Sequence, residues 1–324
     1  LSGDATSCGA TGTQQSGIAV LRFDAAGVPN GIWAFTRNAT GTNNTYILNG
    51  IADPRTTVPP SATPLSVAGN WQGSFTLPTG VIGDTTVWGS VLPDGGLFFY
   101  TNSSLDHNAL YGRLIRYENN ATNNRFVTAN DGVFFNRLLG NTGTYNEAVL
   151  IDGTLQSSNG SGNASLFSGS FSYPTQPGGF PTRFSVTPDP LYALTAGKVA
   201  TTAMIVGTYK MAGTGFGGDS TTLNVFADGA ITGRTTSGCE VVGKLLGELG
   251  SGLNLYRVEA FGYLKSPSGP ITCELASGPP QSGSASAQFD ANGNVIGLRI
   301  LTAGLSVAGT RARTVFVGAK QVSP

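Results

Sequence analysis

Thr86-Val87-Trp88-Gly89-Ser90-Val91-Leu92-Pro93-Asp94-Gly95-Gly96-Leu97-Phe98-Phe99-Tyr100-Thr101 is the stretch that decides the fold class. Its two arms are runs of β-branched and aromatic residues, the composition of a half-buried strand. Between them Pro93-Asp94-Gly95-Gly96 supplies a turn in which glycine takes the positive φ of a tight hairpin. Working outward, the same pattern recurs over 222–232 around Asp228-Gly229 and over 287–301 around Asp290-Ala291-Asn292-Gly293. Asn30-Gly31, Asn49-Gly50, Asp131-Gly132 and Asp152-Gly153 add further turn dipeptides. Many short strands with frequent turns predict an all-β chain of antiparallel sandwich or small-barrel domains, not a βαβ sheet.

Within the opening stretch, Phe98-Phe99-Tyr100 carries a second message. Neighbouring strand residues face opposite sides, so these three aromatics cannot share one core, and at least one is expected to be exposed or to pack on another element. Phe98, Phe99 and Tyr100, with Tyr111 from the next strand, are the candidate interface residues, because aromatic anchors dominate protein interfaces. Trp33, Trp71, Trp88, Phe134 and Phe135 complete an aromatic-rich first half.

One segment reads as helical. Leu191 to Met204 follows the breakers Pro188-Asp189-Pro190, lacks strand alternation and is rich in alanine, which predicts a short connecting helix. Its flanks resemble each other. Val67-Ala68-Gly69-Asn70-Trp71 leads to the Asp94-Gly95 turn and then the aliphatic strand 110–115; Ile205-Val206-Gly207-Thr208-Tyr209 leads to Asp228-Gly229 and then 240–246. A repeat of about 140 residues is too long for a solenoid and predicts two related β domains in tandem. The boundaries expected are 1–190, with a leading hairpin (17–23 into 31–36) and a proline-rich strap at 53–64, and 191–324, opened by the helix.

Composition narrows the partners. Charged residues make up 11% of the 324, with 18 basic and 18 acidic side chains, against about 25% in average soluble proteins. Evenly spread charge with no basic cluster excludes nucleic-acid binding. Polarity carried by hydroxyls and amides, with 47 glycines, fits an exported envelope or surface protein, and a chain opening at Leu1 fits removal of a targeting segment. The longest apolar stretch, 191–206, is too short and too interrupted for a transmembrane helix, so only peripheral membrane association is expected.

Of the three cysteines, Cys239 and Cys273 lie in strand-like segments, and in an exported chain they are expected to form a disulfide. Cys8, in Ala5-Thr6-Ser7-Cys8-Gly9, loosely resembles a lipoprotein cleavage site. Acylation there would have removed residues 1–7, so any lipid anchor is expected upstream.

Asp189-Pro190-Leu191-Tyr192, Val206-Gly207-Thr208-Tyr209, Asp228-Gly229-Ala230-Ile231-Thr232-Gly233 and Ser237-Gly238-Cys239 with Gly243 together resemble a group of proteobacterial exported β-rich proteins and lipoproteins. The resemblance covers about 185–275. It implies an envelope location and an all-β fold, and carries over neither an activity nor functional residues.

Catalytic signals are sparse. The one histidine, His107, sits beside Asp106 among turn formers and reads as a loop residue. No Gly-x-Ser-x-Gly elbow and no cysteine or histidine cluster for zinc or haem occurs. Gly213-Thr214-Gly215-Phe216-Gly217-Gly218 satisfies a dinucleotide pattern, but a strand follows it, so no helix N-terminus is available for a pyrophosphate. Asp290-Ala291-Asn292-Gly293-Asn294 imitates the start of a calcium loop, yet Val295 replaces the required glycine and Leu301 the closing glutamate. Glycosylation acceptors occur at Asn38, Asn43, Asn102, Asn120, Asn159 and Asn163. The expectation is a protein with no enzymatic activity and no cofactor or metal, binding a protein partner in the envelope or serving as a subunit of a membrane-associated assembly. A carbohydrate-active or ligand-binding β protein is the alternative, and an outer-membrane pore ranks last.

Overall fold

The computed structural model describes residues 15–23, 29–38, 45–51, 65–76, 86–101, 109–119, 124–128, 132–136, 145–157, 164–172, 181–194, 200–211, 221–236, 238–247, 252–264, 280–305 and 311–321. The chain divides into two compact units, Leu1–Ser61 and Ala62–Pro324.

The first unit carries a three-stranded antiparallel sheet, β1 (Gln15–Phe23), β2 (Pro29–Asn38) and β3 (Thr45–Ile51), in that order. The expected leading hairpin is its β1–β2 pair, with Gly17 opposite Thr36. Asn30-Gly31 and Asn49-Gly50 are not turns: Gly31 lies in β2 opposite Ile51, and Gly50 lies in β3 opposite Ile32. Pairing with a third strand holds these dipeptides extended and overrides their local turn preference. The strap at 53–64 lies outside the described residues.

The second unit consists of two barrels. β4 (Gly69–Thr76), β5 (Thr86–Val91), β6 (Gly96–Thr101), β7 (Ala109–Asn119), β8 (Asn124–Thr128), β9 (Gly132–Asn136), β10 (Tyr145–Ser157), β11 (Ala164–Ser172) and β12 (Thr182–Pro188) form one nine-stranded sheet. Its ladder returns to its start, because β10 pairs β11, β11 pairs β12 and β12 pairs β4. β8 and β9 share one position between β7 and β10. The second barrel closes in simple order from β13 (Gly207–Met211) through β14 (Thr221–Val225), β15 (Ala230–Thr235), β16 (Glu240–Gly247), β17 (Tyr256–Leu264), β18 (Gln281–Phe289) and β19 (Val295–Leu305) to β20 (Arg311–Lys320).

Period-2 alternation fills both interiors. In β12, Phe184 and Val186 point inward between exposed neighbours, and in β14 Thr221, Leu223 and Val225 are buried between half-buried ones. The first interior is dominated by aromatic rings, with Phe75 edge-on to Phe171 at 5.5 Å and Phe167 against Phe184 at 5.1 Å. Tyr209, Tyr256, Phe261 and Phe316 head the second. Asp152-Gly153, expected as a turn, lies within β10, Gly153 opposite Gly169 and Phe126. Its glycine is there for space, since a Cβ would fall 2.5 Å from the Phe167 ring.

The barrels share one plan. Trp71 Nε1 donates to Val67 O at 2.9 Å, and Tyr209 Oη donates to Ile205 O at 2.8 Å, so a buried polar tip is tied to the incoming chain four residues back in each case. The Asp94 and Asp228 turns are alike. In each the carboxylate accepts from the amide two residues on, at 3.1 and 3.0 Å. Gly95 and Gly229 take φ of 89° and 82°. Their carbonyls accept from Leu114 N and Leu245 N at 2.8 and 2.7 Å.

The expected helix over 191–204 is absent from the described residues. In its place are two 3-10 turns, Pro190–Tyr192 and Thr202–Ile205, flanked by extended Ala193 and Val206. Tertiary bonds take the carbonyls that a helix would use: Tyr192 O accepts from Asn254 Nδ2, and Thr201 O from Tyr256 Oη. Ala200 and Ile205 are meanwhile drawn into the second core.

Candidate functional site

The sequence-predicted interface residues lie where the two barrels meet. Phe99 alternates into the first barrel's interior. Tyr100 faces outward and packs with Ala109, Val133 and Leu301 of β19, with Phe98, Tyr111 and Trp88 partly buried around them. Phe98, Tyr100 and Tyr111 thus serve contact between this chain's own barrels. Trp88 stacks on Tyr100 with centroids 6.0 Å apart.

At the centre of this seam is Arg299. β19 buries both faces: Leu298 and Ile300 point into the second barrel, while Arg299 and Leu301 point into the seam. The guanidinium bonds Asp189 Oδ2 at 3.1 Å, Asn70 Oδ1 at 2.9 Å and Gly89 O at 3.2 Å. It also lies 3.7 Å from the Tyr192 ring centroid and 5.1 Å from that of Trp88. Burial pulls its pKa below the usual value, against the opposing influence of Tyr192 and Asp189. Asn70 is shared, accepting from Ser286 at 2.6 Å and donating to Asn254 O at 3.0 Å. Asn254 itself bonds both ways to the backbone of Ala287. Ser90 and Ser284 pair their hydroxyls across the same seam. A buried charge this fully supplied with partners fixes geometry.

The other described carboxylates near arginines are also engaged. Asp94 Oδ2 meets Arg257 at 3.0 Å at the seam's rim, and Asp152 makes a two-point pair with Arg125. Asp290 caps its own turn, accepting from the amides of Asn292 and Asn294, so the calcium-like stretch is a hairpin turn. No group of three or more His, Cys, Asp or Glu able to hold a metal occurs among the described residues. His107, Gly213–Gly218 and Cys8 lie outside them. So do the acceptors Asn43, Asn102, Asn120, Asn159 and Asn163; Asn38 ends β2. Cys239 is buried and disulfide-bonded, its amide donating to Thr235 Oγ1 at 3.0 Å. Cys273 is outside the described residues, so the pairing with it remains an expectation.

Two depressions flank the barrels at corresponding places. The smaller, about 240 Å³, lies beside the seam and is lined by Gly69, Asn70, Trp71, Pro188, Asp189, Tyr192 and Asn254, among others. The larger, about 710 Å³ and open, lies at one end of the second barrel, where β20 stops between the starts of β13 and β19. Among the described residues, Met204, Val206, Val295 and Ile296 give it an apolar wall, Thr208, Asn294 and Gln321 hydrogen-bonding groups, and Lys320 its one charge. Val206 and Ile296 are 38% and 42% exposed. Phe226, 48% exposed, follows Val225, which pairs Gly207 next to Val206. The sequence does not single these residues out because each is ordinary in its own turn or strand, and they meet only when the barrel closes.

No family model and no curated protein matches the chain, so the resemblance over 185–275 stands on its residues alone. Among solved structures the chain is similar to a mutant of the vaccine antigen Transferrin Binding Protein B from Haemophilus parasuis Hp5, at 11% identity over 95% of this chain and 86% of that one, with a TM-score of 0.25. A likeness at this level leaves the functional reading to the chain's own geometry.

Proposed function

We propose that the protein is a non-enzymatic envelope or cell-surface protein that binds a protein partner, as an accessory or structural subunit of a membrane-associated assembly. The observation that carries this reading is how the second unit uses its side chains. Both barrel interiors are filled with apolar groups, and Asp94, Asp152 and Asp189 each face an arginine. What the described residues offer another molecule is the outside, and the apolar rim of the second barrel is the part built like a protein contact. Low charge and hydroxyl-rich polarity favour the exported location.

Filled apolar interiors argue against a pore, which needs a polar lumen. A carbohydrate-active alternative needs two free acids in one cleft.

Cross-linking in the native envelope, purification in mild detergent and mass spectrometry test the proposal. A stoichiometric protein partner is the expected result. Recovery as a lone monomer, with sugar turnover lost on mutation of two acids, would replace it with the carbohydrate reading.

A further inference from the structure

The two depressions occupy the same position in the shared barrel plan, and one of them is already filled. In the first barrel the last strand ends with Pro188 opposite Trp71, and the next amide, Asp189 N, donates to Asn70 O at 2.9 Å. In the second barrel the last strand ends with Lys320 opposite Tyr209, and Gln321 N donates to Thr208 O at 2.8 Å. Gly69 and Gly207 open the facing strands with φ of 157° and 146°. Position for position, Pro188, Asp189, Asn70 and Trp71 correspond to Lys320, Gln321, Thr208 and Tyr209.

What fills the first position is known. The chain turns through Pro190–Tyr192, lays Tyr192 against the barrel end, and is sealed by Asn254 of the second barrel, which holds Tyr192 O at 2.9 Å. About 240 Å³ is left. At the second position about 710 Å³ is open. The first barrel therefore shows how this notch is used: a short segment with one large side chain lies across the barrel end while a second folded body closes over it.

We infer that the open notch at the end of β20 is the docking point for a protein partner, which inserts an extended segment carrying a large apolar residue beside an Asp or Glu. The inference rests on the partner-binding reading above and names its site. The apolar anchor follows from Met204, Val206, Val295 and Ile296. The acid follows from Lys320, the one charged residue among the described residues of the lining, whose Nζ lies 5.9 Å from the Tyr209 ring centroid. In the filled notch the corresponding residue is an uncharged proline, so the cation marks a difference in what is received.

The test places a benzophenone amino acid at position 296, or at exposed Leu150 on β10 of the first barrel, and irradiates intact envelopes. The expected result is a stoichiometric adduct from position 296 whose cross-linked partner peptide contains an acid next to a large apolar residue. Its yield falls at least about tenfold in Lys320→Glu, as like charges face each other, and survives in Lys320→Arg. Unchanged melting of Lys320→Glu separates lost docking from lost folding. Adducts from position 150 but not 296, or a 296 adduct indifferent to Lys320→Glu, overturn the site and leave the partner reading standing. No adduct from either position, with the protein recovered as a monomer, overturns both.

Discussion

Arg299 of the second barrel and Asp189, the residue that follows the first barrel's last strand, form an ion pair of 3.1 Å with both side chains almost wholly buried. The pair joins three parts of the chain, because Arg299 also bonds Asn70 and Gly89 of the first barrel and Asp189 Oδ1 accepts from Leu191 N at the connecting turn. Its removal should be felt by both barrels together.

Arg299→Ala is therefore expected to cost about 3–5 kcal/mol, since it strands a carboxylate inside the seam. Adding Asp189→Asn, which keeps the acceptor for Leu191 N and removes the charge, should recover part of that loss. Urea denaturation of the two single variants and the double variant gives the coupling. An Arg299→Ala midpoint equal to that of the unaltered protein would rule out a clamp.

Gly95→Ala and Gly229→Ala should destabilise alike, each by more than about 1 kcal/mol. At both positions the φ is positive, and an added Cβ would fall 2.1 Å from Leu114 O or 2.0 Å from Leu245 O. Thermal melts of the two variants make the comparison. A large loss at one and none at the other would mean that the turns are not equivalent.

Two carboxylates give the protein an acid limit. The Arg125 hydrogen bond holds Asp152 below the usual carboxylate value, and burial, which acts in the opposite direction, is outweighed. For Asp94 burial raises the pKa, but the Gly96 amide and Arg257 together bring it down. A folded-state pKa below the unfolded one stabilises above the unfolded value and is lost as pH falls through the folded one. The melting temperature should thus hold near neutrality and drop below about pH 4. Asp94→Asn with Asp152→Asn should shallow that drop; an unchanged acid slope would show that neither pair contributes.

Non-reducing digestion and mass spectrometry should find Cys239 joined to Cys273. Cys273→Ser should then lower the melting temperature under oxidising conditions and have no effect once the unaltered protein is reduced. A Cys239 peptide linked to Cys8 would assign the bridge differently.

Local chemistry explains what the sequence made legible. Asp94-Gly95, Asp228-Gly229 and Asn292-Gly293 sit between short strands whose neighbours are next to them in the chain, so turn preference and pairing agree. Asn30-Gly31, Asn49-Gly50 and Asp152-Gly153 have the same chemistry but lie within strands, where pairing with a neighbouring strand decides. Barrel closure was out of reach, because it depends on Pro188 finding Trp71 and Lys320 finding Tyr209, far away in the sequence. The seam left one readable trace. Ile300-Leu301, like Phe98-Phe99-Tyr100, puts bulky groups on both faces of one strand, which marks a wall covered twice. The rim of the second barrel left none, since Val206 precedes β13, Ile296 lies in β19 and Lys320 ends β20, far apart in the sequence.

The closed ladders bear on how a chain with so little charge stays dispersed. Net charge is zero and charged residues are 11% of the sequence, which leaves weak electrostatic repulsion between copies. Sheet proteins in that position risk aggregating through exposed strand edges. Both barrels abolish their edges by pairing last strand to first. Among the described residues, an open ladder is left only in the leading sheet, where β1 and β3 each pair with β2 alone. Self-association at high concentration would accordingly start from Leu1–Ser61, and the barrels would be carried along as passengers.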